Sequence, residues 1–234
     1  MPFARLTDMR KMSFAQNEYY HIFNRGNNKQ NIFLDDGDRA RFLFLLLFFQ
    51  CDLPPLRINK SVADFIKNQH RVLDIFADEV SEIASNRYVA LESFALMPNH
   101  FHLMLREARE GGISQYMQRV LNSFTKYANT KYEKSGHLFQ GPFKAVRIED
   151  NKQLLYLSAY IHRNPREMDG WHNREHRFPW SSYSDYINHN RWGPLLEQDI
   201  ILSQFTNKSE YYHFVKTSAA KLLKEELDKE IRLD

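Results

Sequence analysis

The sequence predicts an α+β fold, with an antiparallel sheet flanked by helices, and the order of its elements is the main reason. Strand patterns occupy residues 18–24, 88–96, 100–106 and 143–148, with helical patterns after the first strand and after the third. Met97, Pro98 and Asn99 join the two middle strands as a hairpin turn. Strand, helix, hairpin, helix and strand in this order form a split βαβ sheet.

The first predicted helix lies between two strong turn signals. Gly26, Asn27 and Asn28 end the first strand, and a helix follows from about residue 36 to residue 50, where Pro54 and Pro55 stop it. Apolar residues between 61 and 84 indicate more helix, with a break near 67–70, so we expect a helical insertion at about 52–86. Its apolar positions are Val62, Phe65, Ile66, Val72, Leu73, Ile75, Phe76, Val80 and Ile83.

Three more helices are predicted in the second half of the chain. Gly111 and Gly112 open a helix whose apolar residues fall at helical spacing. These residues are Ile113, Tyr116, Met117, Val120, Leu121, Phe124 and Ala128. Residues 149–153 start a helix that ends at Pro165, and residues 210–231 have the pattern of a final helix.

Composition and charge limit the class of protein. The 234 residues allow one core domain with an appendage, or at most two small domains. The single cysteine, Cys51, excludes an internal disulfide framework and a four-cysteine zinc module. The apolar run at 41–50 is too short to span a bilayer and the first residues have no apolar signal core, so we expect a cytoplasmic protein that does not bind membranes. A net charge of +3 permits nucleic-acid binding but is weak evidence for it.

The second strand of the hairpin carries two histidines, His100 and His102. Because side chains alternate along a strand, both imidazoles lie on one face and Phe101 points the other way, into the core. Such a pair can bind a metal, although His-x-His also occurs as two ordinary surface histidines.

A second candidate group lies on the helix before Pro165. Tyr160 and Asn164 are four residues apart, so a phenol and an amide oxygen share one helix face. Two imidazoles and one amide oxygen leave coordination positions for water and phosphate oxygens, which favours Mg²⁺ or Mn²⁺ over a closed structural zinc site. His100, His102 and Asn164 are therefore the candidate metal ligands, and Tyr160 is the candidate nucleophile.

Several segments, taken together in order, resemble a known family. Besides His100-Phe101-His102 and the block 160–165, they are residues 20–28, 32–36, 136–144 and 180–183. The pattern resembles the HUH single-strand DNA transposases with one catalytic tyrosine, which form the IS200-like superfamily, and within it the group associated with repetitive extragenic palindromes. The resemblance covers roughly residues 19–187, and the insertion at 52–86 departs from the compact family pattern.

The resemblance implies a fold, a reaction and a partner. It implies a ferredoxin-like catalytic domain over residues 1–187, leaving 188–234 as a helical C-terminal extension. The reaction it implies is cleavage and rejoining of single-stranded DNA through a 5′-phosphotyrosine, with a free 3′ hydroxyl left on the other fragment. The implied partner is single-stranded DNA with a hairpin or palindromic repeats, bound by a monomer or a homodimer.

Six further residues are candidate DNA contacts, each with an ordinary structural alternative. They are Arg119, Lys126, His137, Lys144, Tyr156 and Arg163. Arg119 and Lys126 fall on the predicted outer face of the helix that starts near residue 111, which a merely solvated face explains equally well. His137 and Lys144 flank the glycine-bracketed segment, where a phosphate contact and an ordinary turn are both plausible.

Two rival functions stay open. A metal-dependent phosphodiester hydrolase would use the same histidines with water as the nucleophile. A domesticated, non-catalytic protein would keep the fold and the binding of DNA hairpins without chemistry. The presence of His100, His102, Tyr160 and Asn164 together argues against loss of activity.

Overall fold

A computed structural model of the chain describes residues 13–52, 57–68, 70 and 72–218. Its centre is one four-stranded sheet in the order β2-β3-β1-β4. The strands are β1 (Tyr19–Arg25), β2 (Val89–Met97), β3 (His100–Glu107) and β4 (Lys144–Arg147), and all neighbouring strands are antiparallel. This order is that of a ferredoxin-like split βαβ sheet, so the predicted fold class is confirmed.

One face of the sheet is packed by α1 (Asp36–Phe48) and α5 (Gly112–Lys131). Phe101 of β3 lies against Phe42 of α1 with 5.2 Å between ring centroids, and Phe42 contacts Phe124 of α5 at 4.9 Å. Both rings of the first pair are fully buried. Burial of these large apolar side chains is the main stabilising contribution of this face.

The start of α5 is held by one buried carboxylate. Glu107, the last residue of β3, accepts hydrogen bonds from the backbone N–H groups of Gly112 and Ile113, at 3.0 and 2.7 Å. Gly112 has no room for a side chain, because a Cβ there would lie 2.1 Å from the carbonyl oxygen of Tyr88. Gly111, just before it, has a φ of +76°, in the left-handed region that favours glycine, so the predicted glycine pair marks the helix start for both reasons.

The expected insertion is helical and consists of α2 (Ile58–Lys67), α3 (Val72–Ile75) and α4 (Ala77–Asn86). Phe65 and Phe76 pack edge-on against Phe44 of α1, at 5.6 and 5.9 Å between centroids. Not all of its apolar residues are buried, since Ile66 and Leu73 are 44% and 43% exposed. Pro54 and Pro55 lie outside the described residues.

The other face of the sheet is covered by α6 (Asn151–Arg163), which packs on β2 and β3. Behind α6 lie α7 (Tyr183–Ile187), α8 (Asp199–Leu202) and α9 (Lys208–Thr217). The predicted final helix at 210–231 corresponds to α9 in its first part, and residues 219–234 lie outside the described residues. The boundary at residue 187 stays a prediction, although α9 packs directly on α6.

Candidate active site

Strand pairing brings three histidines to the face of the sheet that α6 covers. In β3, His100 and His102 alternate with Phe101, as their spacing predicts. In β1, His21 lies directly opposite Met104, and Phe23 lies opposite His102. Directly paired residues of antiparallel strands share a face, so His21 stands beside His102.

His100 is oriented by the residue before it. The Asn99 amide nitrogen donates to the Lys29 carbonyl oxygen at 3.2 Å, which turns the Asn99 amide oxygen toward His100. That oxygen lies 2.7 Å from His100 Nδ1. An amide oxygen can only accept, so Nδ1 carries the proton and, in the neutral ring, Nε2 is unprotonated.

Asn164 presents an oxygen to that unprotonated nitrogen. The Asn164 amide nitrogen points back to the Tyr160 carbonyl oxygen at 3.5 Å, and its amide oxygen lies 3.4 Å from His100 Nε2. Two acceptor atoms at this separation could both ligate one cation, since neighbouring ligand atoms around an octahedral Mg²⁺ are about 3 Å apart. The donor set therefore fits the ion that the sequence predicts.

His102 contacts the third histidine. Its Nδ1 lies 2.9 Å from His21 Nε2, and the two rings stack with 5.1 Å between centroids. Burial lowers the pKa of His21 to about 3, so its ring is neutral near pH 7. The second nitrogen of His21, Nδ1, is buried with no hydrogen-bond partner among the described residues.

Tyr160 stands over this pair of imidazoles. Its ring meets the rings of His102 and His21 edge-on, at 5.3 and 6.0 Å between centroids. The ring is half-buried, so one side of it remains accessible to solvent. The phenol, both candidate histidines and Asn164 therefore meet at one end of the sheet.

The sequence of α6 explains why these residues come together. Asp150 caps the helix by accepting from the backbone N–H of Gln153 at 2.7 Å. Pro165 ends the regular helix, and Asn164 itself keeps helical dihedral angles at the end of the last turn. The four-residue spacing therefore holds, and Asn164 lies one turn beyond Tyr160 on the same side.

His162 lies on the same helix but faces away from the site. Its two ring nitrogens contact the Tyr211 hydroxyl at 2.7 Å and the Ser182 hydroxyl at 2.8 Å. Burial lowers its pKa to about 3. It is a neutral imidazole that joins α6 to the C-terminal segments.

Two findings limit what else the described residues can do. Among them, no group of three or more His, Cys, Asp or Glu side chains is placed to hold a metal ion. The candidate set has only two such residues, with an amide oxygen as the third donor. No described helix combines the length and apolar character that a bilayer crossing demands.

Comparison with known proteins shows a similarity between this part of the chain and one family. A family model described as IS200-like transposase matches residues 59–164, a range that contains His100, His102, Tyr160 and Asn164. Over these residues the chain is similar to the IS200-like transposase family. The expected transposase activity is confirmed at the level of that family. The matched range begins within α2, so β1 with His21 lies outside it.

One solved structure is also similar to the chain. It is a REP-associated tyrosine transposase bound to a REP hairpin, with 13% sequence identity and a TM-score of 0.46. The match covers 83% of this chain and 93% of that chain. No curated protein matches the chain.

The candidate DNA contacts on α5 lie away from the candidate active site. Arg119 is half-buried rather than outward-facing, and its guanidinium donates to Asp52 at 2.7 Å and to the Cys51 carbonyl oxygen at 3.1 Å. Lys126 is exposed. Both belong to the helix on the opposite face of the sheet from Tyr160, and their role in DNA binding stays a prediction.

Lys144 is the candidate contact nearest the site. It pairs with Phe23, which in turn pairs with His102, so these three residues form one row across the face under α6. His137 is exposed in the loop before β4. Of the candidate cations, Lys144 is therefore the one that strand register aligns with His102.

Tyr156 and Arg163 lie on α6 beside the C-terminal segments. The Tyr156 ring packs against Phe214 of α9 at 5.9 Å between centroids. The Arg163 guanidinium donates to the Ser218 carbonyl oxygen. The structure thus gives both residues packing partners outside the group formed by His100, His102, Tyr160 and Asn164.

Sequence reasoning missed two residues of the site, His21 and Asn99. His21 is a single histidine in a strand, and only the register between β1 and β3 reveals that it touches His102. The sequence predicts only a turn at Asn99, and its amide directly before His100 is the signal that could have identified it.

Proposed function

We propose that the chain is a metal-dependent tyrosine transposase that cleaves and rejoins single-stranded, hairpin-bearing DNA through a 5′-phosphotyrosine. One observation carries the proposal. His100 Nε2 and the Asn164 amide oxygen face each other at 3.4 Å, and the Tyr160 ring stands over His102 in the same place. A phosphate bound there would meet both a cation and a nucleophile.

His100, His102 and Asn164 would hold Mg²⁺ or Mn²⁺. When bound, the ion would polarise the scissile phosphate and offset the charge of the leaving oxygen. The rest of the chemistry belongs to Tyr160. Its hydroxyl gives its proton to water and attacks phosphorus, the bond from tyrosine oxygen to phosphorus forms, and the bond to the 3′ oxygen breaks. The 3′ oxygen takes up a proton from water.

The covalent link keeps the bond energy for the second step. A 3′ hydroxyl can attack the phosphotyrosine, restore the phosphodiester and release Tyr160, without ATP. Single-stranded DNA suits the proposal because a flexible strand can bring one phosphate into the cleft while its bases stack on aromatic side chains. The hairpin partner rests on the sequence resemblance, as does a monomer or homodimer as the active form.

The test is a search for a covalent protein–DNA adduct. The protein is incubated with Mn²⁺ and a library of single-stranded hairpin DNA, and the adduct is mapped by peptide mass spectrometry. Tyr160→Phe keeps the ring and removes only the reacting oxygen, so this variant should fold, bind DNA and form no adduct. Tyr156→Phe is the matched control on the same helix and should form the adduct normally.

The rival functions predict different results. If Tyr160→Phe still cleaves DNA, water is the nucleophile and the protein is a phosphodiester hydrolase. If the unchanged protein binds hairpins but neither cleaves them nor forms an adduct, it is a binding protein without chemistry. A linkage at Tyr156 would show that Tyr156, and not Tyr160, is the nucleophile. Chelation of the metal should stop cleavage, and full activity in chelator would contradict the metal requirement.

A further inference from the structure

We infer that His21 is a positioning residue for the metal site, an inference that rests on the proposed function. The starting observation is the 2.9 Å contact between His21 Nε2 and His102 Nδ1. Both side chains are at least 95% buried, at 2% and 5% exposure. The contact is therefore shielded from water, and competition from solvent does not weaken it.

A contact between two ring nitrogens at this distance holds one proton. One nitrogen donates and the other accepts, so His21 and His102 fix each other's tautomers. If His21 donates from Nε2, His102 keeps its own proton on Nε2 and cannot ligate a metal through that atom. If His102 donates from Nδ1, its Nε2 carries a lone pair and can ligate.

His100 shows which arrangement the site uses. Asn99 accepts the Nδ1 proton of His100, which leaves Nε2 for the space shared with Asn164. His102 has its Nδ1 on His21 in the equivalent way. The geometry thus assigns His21 to accept the Nδ1 proton of His102, as Asn99 does for His100, which leaves both histidines an unprotonated Nε2 that could ligate a metal. Support of this kind sets the orientation and basicity of metal-binding histidines in general.

The buried Nδ1 of His21 indicates that this side chain has a role other than stabilising the fold. With His21 as acceptor, its proton sits on Nδ1, which is buried without a partner among the described residues. A side chain selected only for packing would not leave a polar atom in this state. An apolar residue at position 21 would avoid that orphaned atom, and it would also remove the acceptor for His102.

The same ring also supports Tyr160. The tyrosine ring meets His21 and His102 at the same interplanar angle, 80° in both cases. The Tyr160 ring thus packs edge-on against both of the stacked imidazoles. His21 therefore contacts both a candidate ligand and the candidate nucleophile, without belonging to the ligand set.

The first experiment measures Mn²⁺ affinity without DNA, from the electron paramagnetic resonance signal of the free ion. His21→Leu removes the acceptor and should weaken Mn²⁺ binding about ten- to a hundredfold. His21→Gln places an amide oxygen about where Nε2 lies and should restore most of the affinity. His162→Gln is the control, since His162 is equally buried but contacts Tyr211 and Ser182 instead. This control should lose stability and keep its Mn²⁺ affinity.

The second experiment reads the tautomer directly from the ¹⁵N shifts of the His102 ring in the presence of Mg²⁺. The inference expects the proton on Nδ1 in the unchanged protein and in His21→Gln, with this preference lost in His21→Leu. A proton on His102 Nε2 in the unchanged protein overturns the inference. So does a His21→Leu variant that binds Mn²⁺ as tightly as the unchanged protein, or a His162→Gln variant that weakens it equally.

Failure of the inference and failure of the proposed function give different results. If the unchanged protein forms the Tyr160 adduct while His21→Leu keeps full Mn²⁺ affinity, only the role of His21 is wrong. If the unchanged protein forms no adduct but His21→Leu binds Mn²⁺ more weakly, the metal site stands and the tyrosine chemistry is wrong. A protein that binds no Mn²⁺ overturns both.

Discussion

The two faces of the sheet are built from the same strands but hold different kinds of side chain. Under α1 and α5, Phe101 of β3 meets Phe42 and the contact is apolar. Under α6, the residues on either side of Phe101 are His100 and His102, which contact Asn99, Asn164 and His21. One strand therefore carries the core on one face and the candidate chemistry on the other. Mutation of Phe101 should therefore lower mainly the free energy of unfolding, whereas mutation of His100 or His102 should affect mainly metal binding and activity.

The largest expected effect is on the core face. Phe101→Ala should lower the free energy of unfolding by about 3–5 kcal/mol, because it removes a fully buried ring and leaves a cavity. Urea unfolding monitored by circular dichroism measures this. Should His100→Ala cost as much stability as Phe101→Ala, the division between the two faces would be wrong.

The next effect is on metal binding. His100→Ala removes a candidate ligand and should lower Mn²⁺ affinity about ten- to a hundredfold or more, which is about 1.4–2.7 kcal/mol. Titration of Mn²⁺ against the folded variant measures it. The matching control is Phe101→Leu, which keeps the core apolar and should bind the ion normally. Full activity of His100→Ala and His102→Ala in chelator would contradict a metal site on this face.

A third effect is a change in the slope of stability against pH, and it comes from a structural imidazole on the α6 side. Folded His162 has a pKa lowered to about 3 from 6.5 by burial, so the unfolded chain takes up a proton first as the pH falls. Stability from this group is present above pH 6.5 and is lost between about 6.5 and 3, by up to about 1.4 kcal/mol per pH unit. The titratable groups around it, Tyr183, Tyr186 and Tyr211, have pKa values raised by burial and stay neutral there.

The measurement is the free energy of unfolding against pH for the unchanged protein and for His162→Gln. The variant should have a shallower dependence over this window. An identical slope in both proteins would mean that His162 is not held neutral by the fold.

The smallest expected effect concerns DNA contacts on the two sides of the molecule. Lys144 shares a row with His102, whereas Lys126 lies on α5 beyond the other face. Lys144→Gln should weaken binding of single-stranded hairpins and reduce the slope of log affinity against log salt by about 0.7. Lys126→Gln should change that slope less. A larger effect of Lys126 would place the DNA on the α5 side.

The strand and helix patterns predicted most of the fold because each is a local property of the sequence. The alternation around Phe101 gave the two faces of β3, and the glycine pair gave the start of α5. Tyr160 and Asn164 were predicted together since a helix fixes their spacing. The last residues of the final helix lie outside the described residues, so that prediction is tested only over α9.

Other features depend on contacts between distant segments, which no local pattern contains. His21 reaches His102 only through the pairing of β1 with β3, 81 residues apart in sequence. The helical spacing places Arg119 on the outer side of α5, yet its guanidinium forms an ion pair with Asp52, which follows α1. Ile66 and Leu73 follow an apolar pattern but are exposed, because short helices in an insertion cannot bury every side.

His162 has a consequence for how DNA strands could be exchanged. It connects the last turn of α6 to Tyr211 and Ser182, so the helix that carries Tyr160 is attached to the segments behind it. We expect the amide hydrogens of α6 and α9 to exchange with solvent together, as one cooperative unit. If the proposed function is correct, a tyrosine on such a helix would stay in place after it has bound a 5′ end covalently. The incoming 3′ end would then have to be delivered by rearrangement of the DNA itself.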